Sequence, residues 1–87
     1  MRLDKYLKVS GLVKRRTVAK QLCDAGRIRV NGNTAKAGTR VKQDDEVDLL
    51  LGRRRLKVRV QNIGEGGPVS RAEGLFTVLL DEVGEGD

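Results

Sequence analysis

The 87-residue chain predicts an α+β fold, a helix pair packed on a small, mostly antiparallel sheet. Three observations predict it. The apolar period is helical up to residue 25 and switches to two from residue 27. Asn31-Gly32, the strongest short hairpin signal, follows the switch. The length allows one small domain with a thin core, which leaves little room for a large catalytic pocket.

The elements follow in order. Leu3, Tyr6 and Leu7 fall at i, i+3 and i+4 and predict a helix over 3–9, with Asp4 and Lys8 as an i, i+4 pair on another face. Ser10-Gly11 ends it. After the basic linker Lys14-Arg15-Arg16, Thr17 is the N-cap candidate for a second helix over 17–25. Val18, Leu22 and Ala25 mark its apolar face, and Gly26 its C-cap. The two helices are expected to pack through Leu3, Leu7, Val18 and Leu22. Ile28 and Val30 alternate with Arg27 and Arg29 in a strand over 27–30. Asp44-Asp45 marks a turn, read in preference to a metal pair. Strands are expected over 46–51, 55–61 and 75–80, with Gly52-Arg53 turning the chain between the first two. The Gly-rich stretch 62–74 reads as a flexible connection, and 81–87 as a frayed acidic tail. Residues 1–51 form the principal unit, and 52–80 complete the same small domain.

Charge is divided unevenly. Residues 1–42 hold 12 lysines and arginines against two acids, whereas residues 61–87 hold one arginine against six acids. The basic end faces a polyanion, and nucleic acid is the expected one. Histidine is absent and cysteine occurs once, which removes the commonest general base, most metal sites and any intrachain disulfide. No catalytic residue, metal or cofactor is expected. Cys23 reads as a small buried thiol and fits a reducing compartment. No apolar run spans a membrane and no secretion signal is seen, so a cytoplasmic location is expected.

The second helix opens against physical preference. Its N-terminus carries partial positive charge, yet Lys14, Arg15 and Arg16 stand there. Backbone N–H groups beside guanidinium forks make a phosphate site. Arg2 and Lys5 join that surface if the helices pack together, Lys20 adds charge on the same helix, and Arg27 and Arg29 extend it along the first strand. Tyr6 could stack on a base, but its spacing with Leu3 assigns it to the core. Phe76, in the last apolar strand, is also assigned to the core. With so few aromatics, folded RNA read by shape and phosphate is the expected ligand. Arg53-Arg54-Arg55 reads equally as a second phosphate patch or a solubilising hairpin tip.

The run Arg2-Leu3-Asp4-Lys5-Tyr6-Leu7, then Arg15-Arg16-Thr17, Gly26-Arg27-Ile28, Val30-Asn31-Gly32, Lys36-Ala37-Gly38, Val41 and Asp44-Asp45, resembles the S4 (αL-like) RNA-binding domain. The matching residues in that pattern are Arg2, Lys5, Arg15, Arg16 and Arg27. The pattern begins at residue 1, one hairpin follows it, and the C-terminus is acidic. Within the family this is similar to the stand-alone S4 proteins of ribosome-associated quality control, the RqcP type, themselves similar to the heat-shock S4 protein of the large ribosomal subunit. The resemblance implies binding to obstructed large subunits through 23S ribosomal RNA and P-site peptidyl-tRNA, beside the factor that adds C-terminal tails to the stalled chain. It implies a monomer away from the ribosome. Two other readings compete: the RNA-docking module of an rRNA-modifying enzyme such as a pseudouridine synthase, and an RNA chaperone driven by charge alone.

Overall fold

In the computed structural model, which describes residues 1–63 and 74–84, two helices pack on one five-stranded antiparallel sheet. Helix α1 spans Leu3–Val9 and α2 spans Arg16–Asp24. The strands are β1 Ile28–Val30, β2 Asn33–Thr34, β3 Glu46–Leu51, β4 Arg54–Val60 and β5 Phe76–Val83, in the order β2-β1-β3-β4-β5. The expected α+β architecture is therefore present.

Alternation along the strands decides which face meets the helices. Ile28 and Val30 of β1 are buried and stand across from Leu49 and Val47 of β3, which in turn face Leu56 and Val58 of β4. Leu3, Tyr6 and Leu7 of α1 are fully buried on the same core. Each such side chain contributes about 1.5–3 kcal/mol relative to exposure. Arg29, Asp48, Arg55 and Lys57 occupy the alternate positions, on the open face of the sheet.

Asn31-Gly32 is the two-residue turn that the sequence predicts, with φ of 51° and 86°. Both residues lie in the left-handed region that a type I′ turn demands. Asp45 explains the Asp44-Asp45 turn. It is buried, accepts from the Asn31 side chain at 3.1 Å, and accepts from the Lys42 backbone N–H at 3.0 Å. Both carboxylate oxygens are thereby used to tie the turn to the hairpin.

Four expectations need correction. Helix α2 begins at Arg16, so its N-cap is Arg15 and Thr17 lies inside the helix. Its packed face is Ala19 and Cys23, which are buried, whereas Val18 is 39 % exposed. The small residues let the two helices approach closely, and the true stripe is rotated by one residue from the Val18 series. Phe76 is half-buried at the margin of the core. Finally, β5 runs on to Val83, because Asp81 pairs with Arg54 and Glu82 stands opposite Arg55. Residues 81–83 are strand, not tail. Most of the Gly-rich stretch, and residues 85–87, lie outside the described residues.

Candidate nucleic-acid interface

Asp4 organises the helix-pair surface. The sequence reading pairs it with Lys8, but the carboxylate is buried and points to two guanidiniums. Arg2 Nε lies 3.2 Å from Asp4 Oδ1, and Arg16 Nε lies 3.1 Å from Oδ2. The Lys5 backbone N–H donates to Oδ1 at 2.8 Å. A tertiary partner with two donors outcompetes an exposed i, i+4 pair, which is worth only a few tenths of a kcal/mol. Burial alone would push the Asp4 carboxyl up. The Arg16 hydrogen bond, the Lys5 N–H and the charges of Arg16 and Arg2 outweigh it, and the carboxyl sits below its ordinary value.

One carboxylate thus fixes one edge of two forks. Arg2 and Arg16 side chains are each 49 % exposed, so their other N–H groups face solvent. Two guanidiniums, one just before α1 and one in the first turn of α2, converge on a point the chain reaches only when folded. Two positive charges on one negative leave a net positive site. With Arg15 at the N-cap, the α2 N-terminus has neither a side-chain cap nor an acid of its own in the first turn.

The other expected residues divide between two faces. Lys5, Lys14, Arg15 and Lys20 are exposed on or beside the helix pair, with Lys20 one turn beyond Arg16. Arg27 and Arg29 are exposed too, but Arg29 projects from the sheet face opposite the helices. The expected single continuous patch is therefore two patches. Sequence reasoning missed Asp4 as anchor and also Arg40, whose backbone bridges antiparallel to Arg2 and brings a further cation beside it. Nothing in the local pattern signals Arg40, since the bridge joins residues far apart in sequence.

Tyr6 is fully buried, and its hydroxyl donates to the Leu75 carbonyl at 2.8 Å, so it is core and no stacking platform. Burial raises its pKa far above the ordinary value. Cys23 is buried, and desolvation, then the Asp24 and Asp4 charges, push its thiol up. At the hairpin tip, Arg54 forks onto Asp81 with two contacts of 2.8 Å and Arg55 reaches Asp48 at 2.8 Å. These two tip arginines are engaged with the sheet's own acids. Among the described residues no group of three metal-ligating side chains occurs, and no helix is long and apolar enough to cross a membrane.

Comparisons with known proteins bear on the family and the fold. The model of the S4 domain matches residues 1–47. The RQC P-site tRNA stabilizing factor of Halalkalibacterium halodurans is 50% identical over 82 residues, covering 94% of this chain and 93% of that protein. The factor of the same name from Listeria innocua is 48% identical over 82 residues, covering 94% and 89%. The solved trimeric heat shock protein 15 of Vibrio cholerae superposes with a TM-score of 0.77 at 24% identity, over 90% of this chain and 80% of that one. That last likeness is one of fold.

Proposed function

This chain belongs to the S4 domain family, and from that premise we propose that it is an RNA-binding factor of ribosome-associated quality control. It binds obstructed large ribosomal subunits, contacts ribosomal RNA and the P-site peptidyl-tRNA, and holds that tRNA while the stalled chain is tailed. The observation that carries the reading is the pair of half-exposed guanidiniums locked on Asp4. It supplies preorganised phosphate donors on the segment matched by the S4 model, in a chain whose relatives carry the name of a P-site tRNA stabilizing factor. The protein acts by binding without chemistry of its own, in the cytoplasm, as a monomer off the ribosome, beside the tailing factor.

The test compares two arginines. Arg16→Ala removes a fork aimed at phosphate, and charged hydrogen bonds contribute about 1.5–3 kcal/mol, so co-sedimentation with large subunits carrying peptidyl-tRNA should fall on the order of tenfold or more. Arg54→Ala removes a cation already held by Asp81 and should change binding by less than about fivefold. If Arg54→Ala is the worse binder, RNA lies on another side. Because Arg16 also serves the buried Asp4, circular dichroism must first establish that the variant is folded.

A further inference from the structure

The open face of the sheet carries a ladder of charges in which acids and bases are matched, except at one end. Glu46 takes Lys57 at 3.0 Å and Arg59 at 3.8 Å, and Asp48 takes Arg55 at 2.8 Å. Arg29 stands directly across from Asp48 in the β1–β3 register, so Asp48 is its natural neutraliser. That carboxylate is instead forked from the other side, with Arg55 Nε at 3.2 and 3.3 Å from its two oxygens. Among the described residues, Arg27 and Arg29 have no ion pair.

The two arginines line a cleft of about 250 Å³ together with Arg55, Asp48 and Leu50. Three guanidiniums stand against Asp48 in its lining and Glu82 across from Arg55, which leaves the cleft with a net positive charge. Leu50 is half-buried and gives it an apolar floor. A phosphate beside an apolar surface is the chemistry of a nucleotide, with the phosphate on Arg27 and Arg29 and the sugar or base against Leu50. The opposite side of the sheet holds the core under the helices, so this cleft does not face the ligand that Arg2 and Arg16 would hold.

We infer that the cleft formed by Arg27, Arg29, Leu50 and Arg55 is a second RNA site, independent of the helix-pair site, so that one molecule bridges two RNA elements. This rests on the RNA-binding reading above and adds a face to it. An acidic protein segment is the other occupant a basic cleft admits. The apolar floor beside the uncommitted forks favours a nucleotide, and the experiment separates the two.

A biotinylated RNA stem-loop on beads should retain a second, fluorescent stem-loop only when the full-length protein is present. Arg27→Gln/Arg29→Gln should lower that bridging tenfold or more while binding of one stem-loop persists, and Arg16→Gln should do the same from the other face. Methyl NMR locates the contact. The Leu50 methyl signals should shift on adding the stem-loop to wild type and to Arg16→Gln, and should not shift in Arg27→Gln/Arg29→Gln. Arg27 and Arg29 are exposed, so that variant keeps its fold, and its methyl spectrum verifies this. Leu50 signals unmoved by RNA, or bridging undiminished in the sheet variant, overturn the inference. Leu50 signals that move only with an acidic peptide overturn it in favour of a protein ligand. Failure of the wild type to sediment with large subunits would sink the earlier proposal instead; sedimentation without a Leu50 shift would sink this one alone.

Discussion

Asp4 is the residue on which most of the surface depends. Asp4→Asn keeps the shape, removes the charge and leaves Arg2 and Arg16 without their anchor. It should cost about 1–3 kcal/mol in urea unfolding, toward the lower end because both guanidiniums can turn to water. The pH dependence has a defined sign. The folded carboxyl is depressed below 3.8, so its stabilisation is complete at neutral pH and is lost as pH falls through the still lower folded value. Wild type should therefore lose its advantage over the variant below about pH 4, and a difference that stays constant down to about pH 2 refutes the assignment. The residue scale also marks the limit of what a sequence conveys. Leu3, Tyr6 and Leu7 are legible because a helix repeats them at one angle. Asp4 is not, because a local rule pairs it with Lys8 whereas its real partner Arg16 is 12 residues away. Nor is the α2 stripe, since Ala19 and Cys23 carry a weaker apolar signal than the exposed Val18 beside them.

Helix α2 ends where backbone geometry requires it. Gly26 has φ of +73°, and a Cβ there would meet nothing within 4 Å. Gly26→Ala should thus cost about 1 kcal/mol through conformation alone, read as a melting-point drop of roughly 4–8 °C. Gly26→Asn should lose less, because asparagine tolerates the left-handed region. Equal losses would mean that space, and not φ, sets the cost. Elements built on turn chemistry, such as the Asn31-Gly32 hairpin and the α2 stop, are legible because two or three adjacent residues decide them. The end of β5 is not. Asp81 and Glu82 resemble a solvated tail until Arg54 and Arg55, on the neighbouring strand, supply opposite charge.

Over the whole molecule, charge is segregated along the chain: the helix pair and β1 are basic, and the last strand ends in acids. Association with RNA should weaken with a log–log salt slope near −4 for about five phosphate contacts, each contributing roughly −0.7 to −0.9. Removing one true contact should make the slope shallower by roughly one such step. Affinity that ignores salt would indicate a protein ligand. The class of ligand is legible from this segregation, but the division of the cations between two faces is not, because it follows from strand register. The Tyr6 hydroxyl, finally, is a statement about time. Its bond to the Leu75 carbonyl spans 69 residues, nearly the whole chain. A nascent polypeptide cannot close it until synthesis has reached Leu75, the residue just before β5, so helix α1 waits for a partner from the far end of the chain. The clasp forms late, and Tyr6→Phe should speed unfolding while leaving the folding rate almost unchanged in stopped-flow traces.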